Sequence, residues 1–295
     1  MSEPQVSNAG ARTTDGTMRG PWHGLRAAVA ALSSLRKFEP PAPRSVKGFF
    51  TDTTLCIGCK ACEVACKEWN QLPSEPPRWT GTSYDNTGAL SATTWRHVLF
   101  VEQIPESRQT PRWLLMSDVC KHCANAPCQE VCPTGAIIRT EFDSVYVQDD
   151  VCNGCGYCVV ACPFGVIDRS PFDGGAHKCT LCYDRLKVGD EPACARVCPT
   201  RSIQFGDLAE LRARAEQRIA ELHARGETSA YLYGADERVL EGGLHAFFLL
   251  VDRPDVYNLP AHPRRPVRNA RRGYLMTAFT AAVLMVIGML GFARR

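Results

Sequence analysis

Sixteen cysteines lie between Cys56 and Cys198, with none before and none after. They fall into four groups: Cys56, Cys59, Cys62 and Cys66; Cys120, Cys123, Cys128 and Cys132; Cys152, Cys155, Cys158 and Cys162; and Cys179, Cys182, Cys194 and Cys198. Groups one and three have the spacing C-x2-C-x2-C-x3-C of a cluster-binding ferredoxin run. Group two expands the second gap, and group four expands it further. C-x2-C-x2-C wraps three thiolates onto one small cubane from a single tight loop, and such a loop turns backbone N–H groups toward the sulfurs. The fourth cysteine starts a helix leading away and cannot close on the same cluster, so it serves a neighbour. Pro133, Pro163 and Pro199 follow it in three groups, each within C-P-x-x-x-I, ending at Ile137, Ile167 and Ile203. That internal repeat marks duplicated two-cluster ferredoxin modules; group one has Lys67 in place of the proline.

Other uses of cysteine fit less well. Structural zinc takes two C-x2-C pairs separated by a longer stretch, which only group four approaches. Disulfides would need adjacent pairings of strained geometry, and a disulfide-stapled mini-protein is excluded by length. A net charge of +3 gives no field that implies a nucleic-acid partner, and 45% hydrophobic residues mark a globular chain. The reading is four [4Fe–4S] clusters.

Along the chain, residues 1–48 read as a leader, partly disordered, with a possible short helix over Leu25–Leu35. They lack the apolar run and cleavage site of a secretory signal. Residues 49–206 form the four-cluster domain, with β-like pieces at Trp95–Val101, Ile137–Thr140 and Val145–Val147. Residues 73–94, rich in turn formers, make an irregular surface excursion. Residues 207–262 read as a helix–strand extension packing on that domain. Asp207 precedes a helix from Leu208 to Arg225, with Leu208, Leu211, Ala215, Ile219 and Leu222 on one face and Gly226 beyond its end. Leu244–Val251 reads as a buried strand. Gly273–Ala293 is uncharged and, at about 1.5 Å per residue, reaches about 31 Å, enough for a bilayer core of about 30 Å. Arg264, Arg265, Arg268, Arg271 and Arg272 precede it and Arg294 and Arg295 follow, so residues 263–295 read as a basic flank and a single transmembrane helix in a lipid bilayer. The charge bias would leave the cluster domain in the cytoplasm. The fold class is α+β: duplicated ferredoxin-like modules with irregular insertions, plus one C-terminal transmembrane helix.

The stretches CIGCKACEVACKEWN (56–70), CKHCANAPCQEVCPTGAI (120–137), CNGCGYCVVACPF (152–164) and KCTLCYDRLKVGDEPACARVCP (178–199) resemble the iron–sulfur (beta) subunit of membrane-bound, molybdopterin-dependent formate dehydrogenase, over most of the chain from about Phe49. The resemblance implies ligand exchange between groups. Cys56, Cys59 and Cys62 would share a cluster with Cys198, and Cys179, Cys182 and Cys194 one with Cys66. Cys120, Cys123 and Cys128 would pair with Cys162, and Cys152, Cys155 and Cys158 with Cys132. It also implies an electron-transfer subunit, without a catalytic site of its own, between a large molybdopterin catalytic subunit oxidising formate and a membrane cytochrome b or quinone. Complexes of this family include ones exported folded, which need not obey the charge bias. Arg201 departs from the family, standing where a glycine is common after C-P-T. Open alternatives are the equivalent subunit of another molybdopterin oxidoreductase or membrane hydrogenase, and a freestanding membrane-tethered electron carrier.

No nucleotide fingerprint occurs. His122 and His177 neighbour cluster cysteines, while His97 and His245 lie in strand-like runs; ordinary packing accounts for them. Lys60, Lys67, Lys121, Lys178 and Arg185 lie close to the thiolates in sequence. They read either as solvated loop charges or as cations that raise reduction potential.

Overall fold

The computed structural model describes residues 45–74, 79–81, 83–105 and 111–293. Residues 1–44 of the leader, with its helix over 25–35, lie outside them, as do Arg294 and Arg295; the end of the leader is ordered, since the first strand begins at Lys47. A four-stranded sheet anchors the fold. Its strands are β1 (Lys47–Asp52), β8 (Ile203–Asp207), β9 (Tyr231–Tyr233) and β10 (Ala246–Leu250), in the order β8-β1-β10-β9. β1 runs parallel to β10, with Phe49 opposite Ala246, and antiparallel to β8. Phe49, Phe50, Phe247 and Phe248 are fully buried, with Phe50 stacked on Phe247 at 5.3 Å. β10 is buried at every position, as a continuous apolar run at a sheet centre should be. Strands from both sides of residue 206 therefore share one sheet.

The helix expected after Asp207 spans Leu208–Ala224. The Asp207 side chain accepts from the Ala209 N–H at 3.1 Å, capping the first turn. Leu208, Leu211, Ala215 and Leu222 bury its inner face, and Gly226 leaves with φ +94°. A long hairpin, β2 (Arg96–Gln103) and β3 (Arg112–Val119), pairs Arg96 with Val119 and lies over the first cysteine loop. Two shorter hairpins complete the strands: β4 (Ile137–Arg139) with β5 (Val145–Val147), and β6 (Asp168–Arg169) with β7 (Ala176–His177). Among the described residues of 73–94 there is neither helix nor strand.

The cysteine loops feed short helices: α1 (Ala61–Trp69), α2 (Pro127–Glu130), α3 (Tyr157–Ala161), α4 (Tyr183–Lys187) and α5 (Ala193–Arg196). The fourth cysteine does not start a helix as expected: Cys66 lies inside α1, and Cys132, Cys162 and Cys198 follow the ends of α2, α3 and α5. The Leu208–Ala224 helix is α6, and α7 spans Ala270–Ala293. Over Arg272–Ala293, α7 is long and apolar enough to cross a membrane and, among the described residues, is buried by nothing. Thr277 and Thr280 donate to the carbonyls of Gly273 and Met276, so both threonine hydroxyls are satisfied within the helix. At its foot Arg265 forms ion pairs with Glu130 on α2 and, at 2.6 Å, with Glu241, tying the flank to the helix between Cys128 and Cys132.

Candidate iron–sulfur centres

The loops bend where the spacing requires. The residue before the second cysteine of each group takes a left-handed backbone: Gly58 (φ +67°), His122 (+43°), Gly154 (+67°) and Leu181 (+60°). That turn brings N–H groups back onto sulfur. The Leu181 N–H donates to Cys179 Sγ at 3.4 Å, and the Gly58 N–H serves Cys56. The C-P-x-x-x-I repeat does the same for the fourth cysteine. Burial works against the Cys132 thiolate, but the Thr134 hydroxyl and the N–H groups of Ile137, Thr134 and Ala136 outweigh it and lower its pKa.

The cysteines gather across groups. Cys56, Cys59, Cys62 and Cys198 line one hollow. Cys120, Cys123, Cys128 and Cys162 line a second. Cys152, Cys155, Cys158 and Cys132 line a third. The remaining four, Cys66, Cys179, Cys182 and Cys194, are all buried. They lie close enough together that the Cys66 thiol is pushed well up, first by burial and then by the charges of Cys179, Cys194 and Cys182. Every cysteine is a free thiol. Among the described residues, no three His, Cys, Asp or Glu side chains converge as they would on a single ion. Four sulfurs lining each hollow without converging on a single point, with N–H groups aimed at them, fit a multinuclear iron–sulfur cage better than zinc.

The sites follow one another through the protein. Cys62 of the first set and Cys194 of the buried set influence each other's charge. The charge of Cys120 of the second hollow acts on Cys179, and that of Cys158 of the third hollow acts on Cys128. Cys59 and Cys155, in the two end sets, are exposed. Burial comes first among the causes that hold Cys62 and Cys128 up to about 12, and Cys158 and Cys182 up to about 11. Burial thus disfavours the thiolate at these four cysteines, and cluster uptake there must release protons.

The basic residues divide. Lys121 and Lys178 are buried, at 0% and 2% exposure, and both line the second hollow. They are not solvated loop charges. Lys121 pairs with Asp118 and faces Phe248 at 5.1 Å. Lys178 donates to the carbonyls of Val145 and Cys179 and is in no ion pair with a described carboxylate. Lys60 is partly exposed beside Glu63, and Lys67 donates to the carbonyls of Pro73 and Thr93. Arg185 lies over Trp69 at 4.2 Å and holds Asp190, while Trp69 Nε1 donates to Asp184 at 2.9 Å. Those contacts join the CKEWN and CTLCYDR stretches; Asn70 closes α1 by donating to the Cys66 carbonyl at 2.8 Å.

Among the histidines, His97 packs against Asp85 at 2.7 Å and His177 against Asp173 at 2.8 Å. His122 lines the second hollow; burial, then the Lys178 charge, holds it neutral. Its Nδ1 accepts from the Val145 N–H at 3.1 Å, and its Nε2 is buried without a partner. One functional residue escaped the sequence reading. Arg96, 1% exposed, donates from Nη2 to Cys194 Sγ at 3.1 Å. The available signal was an arginine just ahead of the apolar run Val98–Val101.

Loops, hollows and sulfurs of this kind define a polyferredoxin, and two 4Fe-4S dicluster domain families match the chain, over residues 55–136 and 111–208. It carries four [4Fe–4S] clusters. The formate dehydrogenase iron–sulfur subunit of Haemophilus influenzae is 42% identical over 217 residues, covering 72% of this chain and 68% of that protein. The nitrate-inducible formate dehydrogenase iron–sulfur subunit of Escherichia coli is also 42% identical over 217 residues, covering 72% of each. A subunit of the Escherichia coli anaerobic dimethyl sulfoxide reductase is 37% identical over 165 residues, covering 56% of this chain and 75% of that subunit. The chain belongs to the family of formate dehydrogenase iron–sulfur subunits.

Proposed function

We propose that this chain relays electrons within a formate-oxidising complex, from a large molybdopterin catalytic subunit to a membrane cytochrome b or quinone. The observation that carries the reading is the gathering of cysteines from distant groups into four adjoining sets with an exposed cysteine in each end set. The ligand sets are Cys56, Cys59, Cys62 and Cys198; Cys179, Cys182, Cys194 and Cys66; Cys120, Cys123, Cys128 and Cys162; and Cys152, Cys155, Cys158 and Cys132. When bound, each cluster supplies a one-electron store. The protein's share is spacing and insulation: packing around Cys66, Cys123 and Cys179 excludes water from the middle sets, while the loops at Cys59 and Cys155 reach the surface. Residues 49–206 carry the sets, residues 207–262 brace them, and α7 anchors the chain as a single span. The Arg265 pairs hold the α7 flank against α2, so the Cys132 end of the relay faces the bilayer. This subunit performs no catalysis itself.

Purification of the complex tests this. A co-purifying molybdenum subunit, formate-to-dye activity and about sixteen iron atoms per chain are expected; a nickel subunit or no stable partner would overturn it. A reporter fused to Arg295 reads the side of the membrane. The likeness to the dimethyl sulfoxide reductase subunit favours one second reading, the same relay serving another molybdopterin oxidoreductase.

A further inference from the structure

Arg96 opens β2 opposite Val119, and its guanidinium lies over the Phe49 ring at 4.8 Å. Nη2 donates to Cys194 Sγ at 3.1 Å, and Nη1 donates to the Ser117 carbonyl at 3.3 Å and to its hydroxyl at 3.4 Å. The Ser117 hydroxyl is 3.2 Å from Cys62 Sγ. One continuous chain of polar contacts therefore runs from Cys62, in the first ligand set, through Ser117 and Arg96 to Cys194, in the next. Among the described residues no carboxylate pairs with Arg96. A buried cation without a counter-charge is strongly destabilising, and an arginine does not escape by losing its proton. The nearest groups able to carry negative charge are the Cys62 and Cys194 sulfurs, which would be anionic as cluster ligands.

We propose that Arg96 is the shared counter-charge of two neighbouring clusters, those held through Cys62 and through Cys194, and keeps both their reduction potentials raised. The proposal rests on the ligand sets given above. An added electron makes a cluster more negative, so a fixed positive charge at its ligand sulfur favours the reduced state. One guanidinium between two sites does this for both, and it weakens the repulsion between them when both are reduced. The other sites differ. The second hollow is lined by Lys121, offset by Asp118, and by Lys178, which donates to the carbonyls of Val145 and Cys179 and to no sulfur, while the hollow of Cys132, Cys152, Cys155 and Cys158 is lined by no charged residue. That last cluster is an internal control.

The test is redox titration followed by EPR on the purified complex, wild type against Arg96→Gln and Arg96→Lys. Arg96→Gln should lower two of the four potentials together and leave the Cys132 cluster unchanged, with iron still at about sixteen per chain. Arg96→Lys, keeping the charge, should recover part of the shift, which a purely structural role would not. Full iron with no shift in Arg96→Gln overturns the proposal. A wild-type iron content short of about sixteen overturns the ligand sets instead. If the Gln variant fails to assemble, wild-type protein labelled with 15N at arginine decides: pulsed EPR should show nitrogen coupled to a reduced cluster, and its absence is fatal.

Discussion

Gly154 sits between Asn153 and Cys155 in the third cysteine loop, with φ +67°. Gly154→Ala perturbs it in two ways. A left-handed backbone costs an L-residue roughly 1–2 kcal/mol. The new Cβ would also stand 2.3 Å from the Gly174 carbonyl oxygen, a backbone atom that cannot swing aside. Ordinary contact requires a shift of about 1 Å. Gly174 turns the β6–β7 hairpin, whose strands are two residues each and whose Ala176 N–H donates to Cys152 Sγ at 3.4 Å. The displacement is thus delivered to a ligand sulfur. Together the effects amount to about 3 kcal/mol, or about 150-fold in the equilibrium for holding that cluster. Gly135→Ala is the matched control: φ is +70°, yet a Cβ there meets nothing within 4 Å, so only the backbone term applies. Iron retained after a fixed chelator challenge, with EPR to identify the cluster lost, reads the difference. Gly154→Ala should fall to about twelve iron atoms while Gly135→Ala keeps about sixteen. Equal retention by the two variants would refute the reasoning.

Three further outcomes are expected. Arg201 holds φ +53° where the matching turns of the repeat have Gly135 at +70° and Gly165 at +61°; Arg201→Gly should therefore raise stability by about 1 kcal/mol in thermal unfolding of the holoprotein, and a loss would contradict it. Lys178→Met should lower the potential of the cluster in the Cys120 hollow and leave the other three; redox-titrated EPR showing no change would dispose of Lys178 as a tuning charge. Burial, partly countered by Asp143, pushes His245 down to about 4. Its neutral form is favoured in the fold while the unfolded chain takes up a proton below about 6.5, so stability falls as pH drops from about 6.5 toward 4, by up to about 3 kcal/mol. Unfolding temperatures of wild type and His245→Gln between pH 8 and 5 check this: the variant's curve should be flatter.

The local chemistry of the sites was legible in the chain. C-x2-C and C-P-x-x-x-I are short-range instructions, and φ at Gly58 and Gly154 and the N–H groups around Cys132 follow from them because a tight loop has few ways to wrap a small object. The same holds for α6 with its Asp207 cap, for β10 and for α7, whose periodicity or unbroken apolar length is written residue by residue. The tertiary structure decided which cysteine closes each hollow and which cations lie inside. Cys198 reaches Cys56 because β8 pairs with β1, and Arg96 is buried because the β2–β3 hairpin and Phe49 close over it. Spacing along a chain fixes what neighbours in sequence can hold together. Whether a charge faces water or a thiolate depends on what distant segments pack against it, and no local pattern encodes that.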